Sequence, residues 1–249
     1  MNIAVCFWGL VRSGKWTHEN IKKQLDILRT FANVTVFMHT YKIFSKYSNQ
    51  WGNEKNIKLD NDEYKLFNPD HFIFDDQDEI KKTIDFEKYH SQPDLHGTNY
   101  ETVNNIVLAL YSQKRVTDLM LRHHKTKNYT HVVYMRPDVL WETDLKEKYF
   151  DLDDKTVVSP HFSSKHHTST RKFEQYLNDR FAICKPNVAE VYGRRYKFLL
   201  SYSKQNEVQS EIFCYDVLKA HNIDIVFRWV CFNRVRANGN ISKDCKSKY

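Results

Sequence analysis

The sequence predicts an α/β domain with a mostly parallel central sheet flanked by helices, and three observations carry this. Strand-like runs alternate with helical patterns from the N-terminus onward. Ile3 to Trp8 is an unbroken apolar run, as a strand buried on both faces requires. At 249 residues, with 41% hydrophobic and 28% charged residues, the chain has material for one substantial core.

Taken in order, Ile3-Ala4-Val5-Cys6-Phe7-Trp8 opens the sheet and Gly9 to Trp16 is a turn carrying Arg12, Ser13, Gly14 and Lys15. Thr17 precedes apolar positions at Ile21, Leu25, Leu28 and Phe31, a helical spacing, with Glu19 in the first turn and Asn33 at the end. Val34 to Met38 is a second strand ending at His39-Thr40, and the unit should cross over right-handed. Residues 41–65 are polar and aromatic and read as a flexible excursion over the active face. Asn68-Pro69 introduces a strand at His71 to Phe74, then a charged helix from about Asp78 to Tyr89. A loop with Pro93 and Gly97 leads to a long helix from about Tyr100 to His124.

His131 to Trp141 reads as a β-branched and aromatic strand, a Pro-constrained turn bearing an acid, and a second apolar run. Thr156 to Pro160 is a strand and Ser163 to Glu174 a polar, His-rich mobile loop. Asp179 to Cys184 is a further strand, Asn187 to Leu200 and Ser210 to His221 are helices, and Asp224 to Phe232 is the closing strand. No repeat or domain boundary appears, so residues 1–249 form one domain.

Composition narrows the function. A formal charge of +7 favours an anionic partner, and the spread of Lys and Arg suits a small anionic ligand better than nucleic acid. The densest basic group (Arg171-Lys172, Arg180, Arg194-Arg195-Tyr196-Lys197) is no polybasic tail. With only six glycines, neither common Gly-rich phosphate loop is present. A bound phosphate must then be held by side chains, a metal or a helix N-terminus. Five cysteines without a C-x-x-C pair or signal peptide read as reduced thiols of a cytoplasmic protein, and no stretch could span a bilayer. Oligomeric state is not legible.

Open α/β sheets bind ligands outside the carboxyl ends of their strands, so candidate residues are sought there. Asp138 follows a buried-looking strand, and Arg136 beside it would either pair with it or contact diphosphate oxygens. Phe7, Trp8, Gly9, Arg12 and Lys15 end the first strand, an aromatic wall with cations that suits base, ribose and phosphates. His39 and Thr40 end the second strand and could touch base or ribose. Asp179 and Glu211 are candidate general bases, with Glu211 slightly favoured, and His161 a candidate metal ligand after Ser159-Pro160. Asp76-Gln77-Asp78 is a literal Asp-x-Asp, but capping the next helix explains it as well; Asp151 to Asp154 reads as a surface turn. His166-His167 reads as a solvated pair rather than a metal site.

Several stretches, in order, resemble a family of small GT-A-type glycosyltransferases of bacterial polysaccharide clusters and large DNA viruses. They are Ile3 to Arg12, Val34 to Thr40, Leu110-Tyr111-Ser112-Gln113-Lys114-Arg115, Tyr134 to Asp138, Asn178 to Ile183, Ser210-Glu211, and Arg234 to Gly239. The resemblance implies a GT-A-like, Rossmann-like fold, with residues 1–141 as the donor half and 142–249 as the acceptor half. It implies transfer of a sugar from a nucleoside-diphosphate sugar, UDP- or GDP-type, to a glycan or other hydroxyl acceptor, often with Mn²⁺ or Mg²⁺. By that analogy Arg12 and the first strand end face the nucleotide, Ser112 and Arg115 lie on the helix behind it, and Asp138 faces metal and diphosphate. Asp179 and Glu211 would line the acceptor and sugar side. Arg136 stands where the family's motif carries its first Asp, and one carboxylate holds such a metal poorly unless diphosphate supplies most ligands. A nucleotidyltransferase on a similar sheet and a basic nucleic-acid-binding module are the rival readings; Gly9 and Gly14 make only a thin phosphate loop for the first.

Overall fold

Along Asn2–Phe7, the first strand (β1), Ile3, Val5 and Phe7 face one apolar layer while Ala4, Cys6 and the following Trp8 face another, all buried. Helices must therefore cover both faces, as the unbroken apolar run demanded. A computed structural model describes residues 1–162 and 177–245. The remaining elements are α1 (Gly14–Arg29), β2 (Asn33–Lys42), β3 (Tyr47–Asn49), β4 (Glu54–Ile57), β5 (His71–Asp76), α2 (Gln77–Thr83), α3 (Glu101–Lys127), β6 (His131–Met135) and β7 (Val139–Trp141). After them come β8 (Thr156–Pro160), β9 (Phe181–Cys184), α4 (Pro186–Gly193), α5 (Tyr196–Ser203), α6 (Ser210–Ala220), β10 (Asp224–Arg228), β11 (Phe232–Val235) and β12 (Ile241–Ser242).

The central sheet has seven strands in the order β10-β8-β9-β6-β1-β2-β5. Every neighbouring pair is parallel except the two made by β9, which runs antiparallel to both β6 and β8. The expected mostly parallel α/β sheet is therefore present. One layer packs Ile21, Leu25 and Leu28 of α1 on the sheet; the other packs Val116 and Met120 of α3 with Val188 and Tyr192 of α4. The chain leaves β1 toward β2 on one side and returns as β6 on the other. The crevice between the β1 and β6 ends is thus a topological switch point, where such sheets bind ligands.

Two small sheets border that crevice. β7, β11 and β12 form an antiparallel trio, in which Val235 N–H donates to the Asp138 carbonyl at 2.8 Å. β3 and β4 form a hairpin. The stretch expected as a loose excursion at 41–65 thus contains a paired hairpin and two 3-10 turns, Gln50–Gly52 and Glu63–Phe67.

Other departures have local causes. The charged helix stops at Thr83 and a 3-10 turn follows at Phe86–Tyr89. The helix expected over 187–200 is broken into α4 and α5, and Gly193 marks the break. A Cβ there would lie 2.0 Å from Thr117 Oγ1 and 2.1 Å from the Tyr134 hydroxyl, so only glycine allows this approach to α3. β9 starts at Phe181 rather than Asp179 because Asn178 Oδ1 accepts the Arg180 N–H at 3.0 Å, a turn. The closing strand is two strands in two sheets, parted by a tight turn in which Val230 N–H donates to the Arg228 carbonyl.

The thiol expectation is corrected for one pair. Cys231 and Cys245 form a disulfide, while Cys6, Cys184 and Cys214 are free and buried. An odd cysteine count cannot show which two thiols a fold brings together. No helix among the described residues is long and apolar enough to cross a membrane. The expected loop at 163–174, with His166-His167 and Arg171-Lys172, lies outside the described residues.

Candidate active site

A cavity of about 350 Å³ opens at the switch point. Trp8, Gly9 and Arg12 reach it from the β1 end, Arg136 from the β6 end and Tyr41 from β2. Tyr47 and Asn49 of the hairpin border it, as do Arg234 and Arg236 from the C-terminal strand, and Asp179, Arg180 and Gln209 to Glu211 form its far side. Gly9 takes a φ of +95°, which lets the chain turn off β1 toward Arg12 without strain.

Asp138 is fully buried behind this cavity, held by two arginines. Arg136 grips it with two bonds of 2.7 and 2.6 Å, and Arg12 donates to it at 2.9 Å. Burial alone raises its proton affinity, but Arg136 and Arg12 outweigh that and hold the carboxyl well below the usual range. Arg12 also faces Glu54 at 3.5 Å and donates to the Tyr47 hydroxyl, which latches the hairpin to the β1 turn. Arg136 lies 5.4 Å over the Trp8 ring. The turn is fixed from below by Thr17, whose hydroxyl donates to the Pro137 carbonyl at 2.7 Å.

The C-terminal strand adds two more cations. Arg234 pairs with Asp244 through bonds of 2.7 and 2.6 Å. Arg236 donates only to the Ser242 hydroxyl, at 3.2 Å, and has no carboxylate partner among the described residues. Burial lowers its proton affinity, and Arg234 and Arg12 beside it lower it further.

On the far side Glu211 is engaged by Arg180 at 3.0 Å and by Gln209 at 2.6 Å. Gln209 also caps α6 by accepting from Ile212 N–H at 2.8 Å. Asp179 accepts from the Ser210 hydroxyl on Oδ2, with buried Arg195 3.7 Å from the same oxygen. Its Oδ1 has no hydrogen-bond partner among the described residues, so Asp179 has an oxygen free for a ligand.

Several expected ligand contacts stand behind the cavity wall instead. Ser112 Oγ accepts the Gly9 N–H at 2.8 Å and lies 2.6 Å from His39 Nδ1; His39 Nε2 lies 3.0 Å from Asp75, which Arg115 also grips. Burial lowers the proton affinity of His39, so a neutral ring with its proton on Nε2 fits these partners. The order Ser, His, Asp mimics a nucleophilic triad, but Ser112 and His39 are fully buried and do not line this cavity. Thr40 Oγ1 accepts the Val11 N–H at 3.1 Å. These side chains hold the 9–11 turn in place. Phe7 is core packing, its ring tilted against Phe67.

The residues present do not suit the divalent metal expected at Asp138 and His161. Both Asp138 oxygens already serve guanidinium groups. His161 is exposed, packs its ring near Trp229 at 5.9 Å and does not line the cavity. Among the described residues no group of three His, Cys, Asp or Glu could hold a metal ion. The literal Asp-x-Asp is no alternative, because Asp76 Oδ1 caps α2 by accepting from Asp78 and Glu79 N–H. The N-terminus of α1 is equally taken: Glu63 Oε2 accepts the Lys15 N–H at 3.4 Å, where a phosphate of the nucleotidyltransferase reading would sit.

The strand-end reading thus named Trp8, Gly9, Arg12, Arg136, Asp179 and Glu211, which line the cavity, and missed Tyr47, Arg180, Arg234 and Arg236, which line it too, and Glu54, buried behind Arg12. The alternation of arginines in Arg234-Val235-Arg236 was a usable signal, since a strand puts both on one face. Tyr47 and Glu54 sit in a segment with no periodicity and gave none.

No family model and no curated protein matches this sequence. Among solved structures the chain is similar to the galactosyltransferase LgtC in complex with donor and acceptor sugar analogues, at 12% identity and TM-score 0.44, covering 90% of this chain and 73% of that one. A glycosyltransferase involved in glycosylation of the major capsid of PBCV-1 shows 8% identity and TM-score 0.43, with 92% and 81% covered. The glycosyltransferase GlyE of Streptococcus pneumoniae TIGR4 shows 10% identity and TM-score 0.42, with 90% of this chain but 44% of that one covered. Likeness of this degree is loose and equates no residue of this chain with one of theirs.

Proposed function

We propose that this chain is a glycosyltransferase that moves a sugar from a UDP- or GDP-type sugar to a glycan or other hydroxyl acceptor. One observation carries the reading: a single cavity at the switch point sets arginines on one side against Asp179 on the other. Departure of a nucleoside diphosphate develops negative charge, and fixed guanidinium groups stabilise it without reorganising. An acceptor hydroxyl needs a base within hydrogen-bond reach, and Asp179 has a carboxylate oxygen free for that. Glu211, favoured from sequence, is held by Arg180 and Gln209 and acts here as a brace for the far side. Trp8, Tyr41 and Tyr47 supply flat surfaces against which a base or sugar ring can lie.

The test is release of nucleoside diphosphate from a panel of UDP- and GDP-sugars with simple glycan acceptors. Asp179→Asn should lower an inverting transfer about 100-fold or more, the usual contribution of a positioned base, with donor binding kept. If no donor in the panel is turned over and no nucleoside diphosphate stabilises the fold, the reading is wrong.

A further inference from the structure

We propose that the cavity holds a diphosphate with arginine side chains alone, Arg236 completing the set, and needs no divalent cation. The inference rests on the nucleotide-sugar reading for the ligand's identity, but its site stands on the charges themselves. Arg12 and Arg136 share Asp138, with Glu54 a more distant partner of Arg12, and Arg234 has Asp244. Arg236 lines the same cavity, and its sole side-chain bond is from Nε to Ser242, so its terminal nitrogens have no partner among the described residues. At this end of the cavity four arginines face three carboxylates, while Arg180 on the far side is matched by Glu211 and Asp179, and Arg236 is the cation not tied down.

The carboxylates are placed as counter-charges rather than as metal ligands. Asp138 is sealed behind its arginines, and Glu54 is buried with its second oxygen accepting the Ala237 N–H. A cation entering the cavity would have to strip Asp138 from the two-bond fork of Arg136 and the single bond of Arg12. A diphosphate oxygen needs no such exchange at Arg236, whose planar fork suits it. The Nε of Arg12 and Nε1 of Trp8 are also buried without a partner among the described residues, leaving further donors at this end of the cavity. Burial, and then Arg234 and Arg12, disfavour charge on Arg236 against the opposing pull of Glu54 and Asp138, so an arriving anion would relieve what a metal would increase.

Calorimetric titration with inorganic pyrophosphate, UDP and GDP, each in chelator and then with Mn²⁺, tests the proposal. Binding should be measurable in chelator and change less than threefold when Mn²⁺ is added. Arg236→Gln should weaken pyrophosphate tenfold or more in chelator, Arg236→Lys should fall between, and Arg29→Gln on the exposed face of α1 should change nothing. Thermal unfolding of each variant separates a folding defect from lost affinity, and the wild-type comparison decides the metal question even if a variant fails to fold. Binding that appears only with Mn²⁺ overturns the arginine site and leaves the transferase reading intact. An unchanged Arg236→Gln also overturns it. If pyrophosphate binds in chelator through Arg236 but no nucleoside diphosphate binds more tightly, the anion site stands and the transferase reading falls.

Discussion

Asp138 is surrounded by two guanidinium groups and excluded from water, and this makes it a structural charge before it is anything else. Breaking a buried pair costs more than the pair contributes, because the surviving charge has no solvent to turn to. Asp138→Asn should therefore destabilise the fold by about 3–5 kcal/mol, read as a lower urea midpoint. Asp76→Ala removes only a helix cap and should cost about 1 kcal/mol. Equal losses for the two would show that Asp138 is not the counter-charge described here. The same contrast explains why Asp138 was legible as important and illegible in role: a strand-end position is visible in sequence, the second arginine 126 residues away is not.

At the scale of elements, the C-terminal strands act as a strap across the β6 end. β11 pairs with β7, carries Arg234, and is tied to the residues after β12 by the Cys231–Cys245 disulfide and by Asn233 Oδ1, which accepts the Cys245 N–H at 3.0 Å. Asp244, which orients Arg234, lies one residue from that crosslink. The bridge closes a loop of sequence separation 14. Chain entropy for a loop of that length is worth about 3 kcal/mol. Cys231→Ser with Cys245→Ser should lower stability by up to that amount and weaken diphosphate binding together, measured by denaturant unfolding and calorimetry. Intact diphosphate affinity in the double variant would show that Arg234 is positioned without the strap.

For the whole molecule, the buried charges set the response to pH. Asp138 and Asp244 are depressed by their arginines against the effect of burial, and Asp75 by the hydrogen bond from His39. A carboxyl with a lowered folded pKa binds its proton more readily when unfolded. Its contribution is therefore present above the unfolded value of about 4 and lost as pH falls toward the folded one. His39 is also lowered, by burial, so its contribution is complete above about 6.5 and declines below that. The melting temperature should hold near neutrality, fall gently below about pH 6.5 and steeply below about 4. A melting temperature that is flat from pH 7 to pH 3 would contradict this charge arrangement.

The alternation of apolar runs and helical spacing determined, without coordinates, that this chain builds a mostly parallel sheet covered on both faces, with Trp8, Arg12 and Arg136 at the strand ends where the cavity opens. Those are local properties: each strand or helix reports its own burial through its own period. Which charges meet was decided only by the tertiary structure. Arg12 reaches across 126 residues to Asp138, Glu54 accepts from Ala237 across 183, and His39 turns inward to Ser112 and Asp75 instead of facing the cavity. Pairing between side chains distant in the chain leaves no periodic trace. The same carboxylate therefore reads from sequence as a metal ligand and in the folded molecule as the partner of two arginines.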